Sequence, residues 1–340
     1  MYSLIDVQKR LLPDLLAVMQ KRYHILHYIG LMEPVGRRNL SLSLSLTERV
    51  LRSEVEFLKD QNLLTTSTSG MSLTNDGKEL LEKLASVIRD ISGINEMEES
   101  LQRKLGIQKV IIVSGNSDES PWVKTELGRA AANWMKSSLT GENIIAVTGG
   151  STIAAVADRL TPVDTEKSCL FVPARGGIGE EVKNQANLIC ATMAERTRSK
   201  YRVLYVPDQV SRDMYESIIK EPEISEVLQL IKSASMVLHG IGDAITMAER
   251  RKTSSEALKE IQGAKAEGEA FGYYFNDNGE VVYKVQTIGL QLQDLSNIPC
   301  VIAVAGGETK AKAIAAYMKQ APRSTVFVTD EGAAKRLLEG

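Results

Sequence analysis

A glycine-rich turn near the middle of the chain has the residue types of an anion-binding loop. Gly149, Gly150, Ser151 and Thr152 follow an apolar run at 143–148 and precede a segment with helical periodicity. Glycine lets backbone N–H groups approach an anion, the hydroxyls add donors, and a helix start favours negative charge. The turn is neither a dinucleotide fingerprint nor a P-loop. The alternative is a plain tight turn with Ser151 or Thr152 as the helix cap.

Cations follow three other predicted strands in a similar way. Arg175 lies among glycines after one strand, Arg250 and Arg251 follow a second, and Lys310 follows a third. In open α/β sheets, ligands bind beyond the carboxyl ends of the strands. These cations could therefore converge on the phosphate of one small ligand. Each of them alone is more often a solvated surface charge.

Candidates for hydroxyl recognition and for catalysis carry weaker signals. Gln185 and Glu269 could bind sugar hydroxyls, although only their positions mark them. His239 ends an apolar strand and could act as a base. A lone histidine in that place more often has a structural role, so we predict no catalytic residue and no metal ligand.

The N-terminal residues have the pattern of a DNA-reading domain. A helix from Arg37 precedes Ser45-x-x-Glu48, a capping-box pattern that predicts a second helix over 45–61. A hairpin around Gly70 follows, so the segment predicts a winged helix-turn-helix. The first exposed positions of the second helix would face base edges, and arginines of the first would contact phosphates. The candidate DNA-binding residues are Arg37, Arg38, Thr47, Arg49, Arg52 and Ser53.

Local charge agrees with DNA as a partner. The 340 residues, 43% of them hydrophobic, exceed one typical domain, and the net charge of −2 argues against a uniformly basic coat. Between Lys21 and Arg52, six Lys or Arg stand against two acids, a local balance of 6 − 2 = +4. Phosphates require such a basic face.

Cysteine usage and hydropathy point to a cytoplasmic protein. Cys169, Cys190 and Cys300 lie far apart in apolar runs, which predicts core residues and neither a zinc site nor a disulfide framework. The N-terminus shows no signal-peptide pattern, and no apolar run reaches the ~18 residues of a membrane span. We expect no membrane partner and no cofactor.

Apolar residues recur with heptad spacing over residues 80–105, which predicts helix pairing between two copies of the chain. Ser92-Gly93 could break this seam. The alternative is an amphipathic linker helix that packs on its own domain.

From residue 109 onward, apolar runs alternate with helical segments. The runs are nearly continuous, so both faces of the sheet are covered, and the alternation predicts a mostly parallel, Rossmann-like α/β sheet. A hairpin at 271–285 interrupts this order. The predicted strands are 109–114, 143–148, 168–173, 202–207, 235–240, 300–305 and 325–329.

Together these motifs resemble the SorC/DeoR-type sugar-sensing bacterial regulators, over nearly the whole chain. The similarity is carried by Val-Thr-Gly-Gly-Ser-Thr at 147–152, Gly-Ile-Gly at 240–242, the segment 268–275, and Ala-Val-Ala-Gly-Gly-Glu-Thr-Lys at 303–310. The resemblance implies a C-terminal domain of the sugar-phosphate isomerase type that binds a phosphosugar. The implicated residues are Gly149, Gly150, Ser151, Thr152, Arg175, Gln185, Arg250, Glu269 and Lys310.

The resemblance further implies repression of a glycolytic operon, relieved by fructose 1,6-bisphosphate, and a homo-oligomer that is a dimer of dimers. The expected division is a winged DNA-binding domain at 1–88, a linker helix with coiled-coil pairing at 89–106, and an effector-binding and oligomerisation domain at 107–340. The rival interpretation is a sugar-phosphate isomerase or deaminase. The family's deaminases carry a histidine after Gly-Ile-Gly, whereas His239 precedes it here, which puts catalysis in doubt.

Overall fold

The computed structural model describes residues 10–177 and 181–340, and it divides the chain into two compact units. We call these the N-terminal unit and the C-terminal unit; they comprise Met1–Glu96 with Ser120–Trp122, and Met97–Glu119 with Val123–Gly340. Leu4 and Val7, whose spacing with Leu11 and Leu15 predicts a helix, lie outside the described residues, as does the loop segment 178–180. The bounds of the three predicted domains remain predictions.

The N-terminal unit has the predicted winged helix-turn-helix. Its elements are α1 (Pro13–Met32), α2 (Arg37–Ser43), α3 (Glu48–Asp60), β1 (Leu64–Ser67), β2 (Gly70–Leu73) and α4 (Asn75–Ile91). Proline opens α1, where its missing N–H costs nothing. The two strands of the wing pair antiparallel in register, with Leu64 opposite Leu73.

The predicted start of the second reading helix is wrong by about two residues. Ser45 does not cap it, because Ser45 has a left-handed backbone with φ of 52°. The cap is Thr47, whose Oγ1 accepts a hydrogen bond from the N–H of Val50 at 3.3 Å. The turn between α2 and α3 is therefore longer than the sequence pattern indicated.

One face of α3 joins the core of this unit. Leu51, Val55 and Leu58 are at most 5% exposed and pack with apolar residues of α1 and α2. Complete burial of such a side chain stabilises the fold by about 1.5–3 kcal/mol. The same face holds Glu54, which forms ion pairs with Lys21 at 2.6 Å and Arg22 at 2.8 Å.

This ion pairing changes the charge estimate for the DNA-reading segment. Burial opposes the change, but hydrogen bonds from Lys21 and Arg22 lower the pKa of Glu54. The single negative charge of Glu54 offsets one of these two positive charges. The fully exposed basic residues of the segment are the arginines of α2 and α3.

The predicted continuous seam over 80–105 is interrupted. Helix α4 ends at Ile91, Gly93 adopts a φ of 67°, and a separate helix, α5 (Ile94–Leu105), follows. Ile94 and Leu101 are already fully buried within one chain, so they are not available for pairing. Only α4 keeps a half-exposed apolar stripe that includes Leu84 and Val87.

The C-terminal unit is built on a seven-stranded sheet whose paired strands are all parallel, as predicted. The strands of this unit are β3 (Lys109–Val113), β4 (Glu142–Val147), β5 (Ser168–Pro173), β6 (Lys200–Tyr201), β7 (Met236–Gly240), β8 (Gly242–Asp243), β9 (Ala266–Ala270), β10 (Tyr273–Asn276), β11 (Val281–Lys284), β12 (Cys300–Val304) and β13 (Thr325–Asp330). The order in the large sheet is β3-β13-β12-β7-β4-β5-β6.

Helices connect these strands. They are α6 (Pro121–Ser137), α7 (Ser151–Arg159), α8 (Ala186–Thr197), α9 (Arg212–Ile218), α10 (Pro222–Lys232), α11 (Ala244–Arg250), α12 (Ser255–Gly263), α13 (Ala311–Met318) and α14 (Glu331–Glu339). The central strands β7, β12 and β13 are buried along almost their whole length, which accounts for their continuous apolar sequences.

Two features of the C-terminal unit differ from the predictions. The predicted strand at 202–207 is irregular, and the edge strand β6 is the two residues before it. The Asn187 side chain holds both the N–H and the C=O of Leu204, which removes the groups that a sheet ladder would use. The predicted hairpin is present, but it belongs to a four-stranded antiparallel sheet in the order β11-β10-β9-β8.

The cysteine predictions are confirmed in part. Cys169 and Cys190 are buried and all three thiols are free, whereas Cys300 is only half-buried. Across the described ranges, no helix is both long enough and apolar enough to cross a bilayer.

Candidate functional site

A cleft at the carboxyl ends of the parallel strands collects the residues that the sequence singled out. Its empty volume, including the part open to solvent, is about 930 Å³. Thr148 follows β4, Arg175 follows β5, and Gly240 ends β7, so each strand contributes its last residues. All of the predicted effector residues line it: Gly149, Gly150, Ser151, Thr152, Arg175, Gln185, Arg250, Glu269 and Lys310.

The glycine turn leaves helix α7 without a side-chain cap. Gly150 is the N-cap residue and has a φ of 121°, a conformation that favours glycine. A side chain at Gly149 would come within 2.7 Å of the Asn184 carbonyl oxygen. The alternative in which Ser151 or Thr152 caps the helix is therefore wrong. Backbone N–H groups at the start of α7 face the cleft and suit an anion.

Three cations surround this turn, and we call them the cation cluster: Lys124, Arg250 and Lys310. The Lys124 Nζ lies 3.5 Å from the Ser151 Oγ. Burial, and then the positive charges of Lys124 and Arg250, lower the pKa of Lys310, while Asp118 and Asp243 act in the opposite direction. Within the described residues, Lys310 has no ion-pair partner. An anion at the turn would relieve this crowding of like charges.

The opposite wall of the cleft contains a buried ion network of Arg175, Asp208, Arg251, Glu269 and Tyr274. Arg251 Nε and Nη2 donate to Asp208 at 3.1 Å and to Glu269 at 2.9 Å, and its Nη1 donates to the Tyr274 hydroxyl at 3.0 Å. Arg175 Nη2 lies 2.5 Å from the other Asp208 oxygen. The two arginines and two carboxylates balance one another.

This network gives Arg175 carboxylate partners inside the cleft. Its guanidinium pairs with Asp208 and lies 3.5 Å from Glu269, and its contact with a ligand stays a prediction. One donor is still unused, because the buried Nε of Arg175 has no hydrogen-bond partner in the described part of the chain.

Glu269 presents a matching acceptor. Its Oε1 accepts hydrogen bonds from Arg251 and from the N–H of Gly272 at 2.6 Å. Its Oε2 lies on the side of Gly242, which also lines the cleft, and accepts no hydrogen bond among the described residues. An unused acceptor beside Gly242 suits a hydroxyl group of a sugar. Gln185, at the start of α8, is half-buried and lines the same cleft.

His239 is a structural residue, as predicted. Its ring is 1% exposed. Nδ1 lies 3.0 Å from the Gly240 carbonyl oxygen, and Nε2 lies 3.0 Å from the Tyr317 hydroxyl. Because a carbonyl only accepts, Nδ1 carries the proton and Nε2 accepts from Tyr317. Burial lowers the pKa of His239 to about 4, so the ring is neutral near pH 7.

The neutral ring predicts a loss of stability in mild acid. Between pH 6.5 and 4 the unfolded chain binds a proton at this residue and the folded chain does not, so stability is fully present above about pH 6.5 and falls as the pH drops. We expect a cost of about 2 kcal/mol at pH 5. Urea unfolding at pH 7 and pH 5 should show a smaller pH-dependent loss for His239→Gln. Equal losses would contradict the assignment.

The candidate DNA-reading residues are all exposed on the N-terminal unit. Arg37 and Arg38 begin α2, and the remaining four lie at the start of α3; all six side chains are exposed: Arg37, Arg38, Thr47, Arg49, Arg52 and Ser53. Arg52 forms an exposed ion pair with Glu56 at 3.0 Å, a contact that contributes little to stability and is easily exchanged for DNA.

Sequence reasoning missed three residues of the cleft region. Asp208 follows the irregular segment that was predicted as a strand, and Tyr274 lies in the predicted hairpin, where no motif marks its hydroxyl. Lys124 lies on α6, far in sequence from any glycine turn, and nothing in its neighbourhood marks it. A search for acids next to predicted strand ends would have found Asp208 only.

Comparisons with known proteins agree with this architecture. A family model described as a sugar-binding domain matches residues 89–339, and one described as the CggR N-terminal DNA binding domain matches residues 18–88. The chain is 59% identical over 339 residues to the central glycolytic genes regulator of Priestia megaterium, covering 99% of both chains. It is also 59% identical over 338 residues to that of Bacillus subtilis, again over 99% of both.

Solved structures give the same result. A SorC family transcriptional regulator from Enterococcus faecalis is 49% identical, with a TM-score of 0.68 over 72% of this chain and 99% of that one. The full-length sorbitol operon regulator of Klebsiella pneumoniae, at 16% identity, shares the fold with a TM-score of 0.64 over 96% of this chain and 99% of its own. With these matches across its length, the chain belongs to the central glycolytic genes regulators of the SorC type, which are DNA-binding transcriptional regulators and not enzymes.

Proposed function

We propose that this regulator represses a glycolytic operon, and that a phosphorylated sugar bound in the cleft controls its DNA binding. The observation that carries the proposal is the cation cluster at the uncapped start of α7. A phosphate group carries between one and two negative charges near neutral pH, and the backbone donors and cations there match that charge.

The remainder of the cleft supports a sugar as the phosphorylated ligand. The unused Glu269 Oε2 offers an acceptor to a sugar hydroxyl.

Fructose 1,6-bisphosphate is the effector we propose. The support is the name of the relatives, which links them to glycolytic genes, together with the family resemblance of the cleft motifs. Titration calorimetry tests it against fructose 6-phosphate and unphosphorylated fructose. We expect the bisphosphate to bind with the highest affinity and fructose to give no heat. The absence of heat with every phosphosugar would contradict the proposal.

DNA recognition by α3 gives a separate expectation. Arg52→Ala should weaken binding to a selected duplex by about 1–3 kcal/mol if the arginine contacts a base edge. Arg37→Ala should weaken binding to all sequences more evenly and reduce the salt dependence, because it removes a phosphate contact. Fluorescence anisotropy with cognate and scrambled duplexes at two salt concentrations measures both effects.

Lys59→Ala is the matched control, because this exposed residue lies at the far end of α3. If Arg52→Ala and Lys59→Ala bound the cognate duplex equally well, α3 would not be the reading helix in the orientation proposed.

We further propose that the chain acts as a dimer of dimers on repeated half-sites. The half-exposed stripe of α4, with Leu84 and Val87, is the part of the predicted seam that remains available for pairing. Sedimentation velocity, which resolves monomer, dimer and tetramer, tests this assembly.

A further inference from the structure

Lys124 lies beside the glycine turn at 149–152, and no sequence motif predicted this position. It lies in the first turns of α6, and its Nζ approaches the Ser151 Oγ, the first side chain of α7, at 3.5 Å. The side chain is half-buried, and within the described residues no carboxylate lies in ion-pair range of it. A lysine without an ion-pair partner in such a position is available to pair with the phosphate of a ligand.

We propose that Lys124 is a third phosphate-binding residue, which reaches the phosphate at the glycine turn from α6, while Lys310 and Arg250 reach it from the cleft. The inference rests on the proposed function, since it assigns a further contact to the same phosphosugar. With Lys124, the proposed phosphate site includes a residue of helix α6 in addition to the glycine turn and the strand ends.

The electrostatics of the turn support this assignment. Lys124 is close enough to Lys310 to lower the pKa of that lysine, and Arg250 has the same effect; Asp118 and Asp243 offset them only in part. The positive charges of Lys124 and Lys310 beside an uncapped helix start repel each other. A phosphate dianion converts this repulsion into attraction, so each cation gains from the presence of the ligand.

The geometry also shows how Lys124 reaches the ligand. Its contact with the Ser151 hydroxyl is long for a hydrogen bond, so it is easily given up. The four-carbon stem of a lysine is flexible and carries three donors, which lets Nζ move from the hydroxyl to a phosphate oxygen at the same turn.

The test uses the full-length chain and fructose 1,6-bisphosphate in titration calorimetry at low and high salt. Lys124→Gln keeps a donor for Ser151 but removes the charge. Lys136→Gln is the matched control on the same helix, because the Lys136 Nζ donates instead to Thr161 and Pro162. Melting temperatures without ligand should be similar for all three proteins.

We expect Lys124→Gln to bind the bisphosphate about tenfold more weakly than the parent, and with a smaller salt dependence, while Lys136→Gln binds like the parent. Parent-like affinity and salt dependence in Lys124→Gln would overturn the role of Lys124 alone. If the parent itself bound no phosphorylated sugar, both this inference and the proposed function would fall.

Discussion

Replacing Arg251 by methionine is expected to destabilise the C-terminal unit by about 3–5 kcal/mol, because it leaves two buried carboxylates with one arginine between them. The Arg251 side chain is 2% exposed and donates to Asp208, Glu269 and Tyr274 at once. Burial alone would lower the pKa of Arg251, but the charges of Glu269 and Asp208 raise it above its usual range. Its charge is therefore retained at every pH at which the protein folds.

Urea or thermal unfolding measures this effect. Arg251→Lys keeps the charge but loses the planar fork, so we expect an intermediate loss of stability. Lys259→Met, an exposed change on α12, is the control and should shift stability by less than about 0.5 kcal/mol. If Arg251→Met were as stable as Lys259→Met, the ion network would not hold this wall of the cleft.

Lys310→Met is expected to weaken ligand binding without destabilising the fold. Loss of a half-buried cation at the phosphate should weaken phosphosugar binding by about 2–4 kcal/mol, or roughly 30-fold to 1,000-fold. The free protein should be as stable as the parent or more stable, because burial and the charges of Lys124 and Arg250 disfavour a charged lysine there. Titration calorimetry and melting temperatures without ligand measure the two effects.

Lys312→Met is the control for this change. Lys312 lies two residues further along, is largely exposed, and makes only a long ion pair with Glu267 at 3.9 Å. We expect parent-like affinity from it. A Lys310→Met variant with parent-like affinity would place the phosphate elsewhere in the cleft.

The sequence predicted the elements that are governed by local pattern. The central strands β7, β12 and β13 have continuous apolar runs because the sheet is covered on both faces, and their bounds agree with the structure to within one residue. The failures have long-range causes. Asn187 captures the backbone of Leu204 and prevents a strand there, and the left-handed backbone at Ser45 moves the helix cap to Thr47.

The sequence predicted which residues line the cleft, but it did not predict which of the cations there have carboxylate partners. Strand-end placement identified Arg175, Arg250 and Lys310, because the parallel topology brings those ends together. Which cations are compensated depends on partners that are distant in sequence. Asp208, 33 residues from Arg175, pairs with it, whereas Lys310 forms no ion pair among the described residues, although Asp118 and Asp243 act on it from a distance. The spacing of residues along the chain indicates neither the ion pair of Arg175 nor the lack of one at Lys310.

Control of DNA binding by a ligand requires that the ligand bind two conformations of the protein with different affinity. The most direct test is fluorescence anisotropy with a duplex selected from a random pool, titrated with parent and Lys310→Met proteins with and without fructose 1,6-bisphosphate. We predict that the sugar weakens DNA binding by the parent and leaves the affinity of Lys310→Met unchanged. Unchanged DNA affinity of the parent at saturating sugar, or equal release of both proteins, would contradict the account.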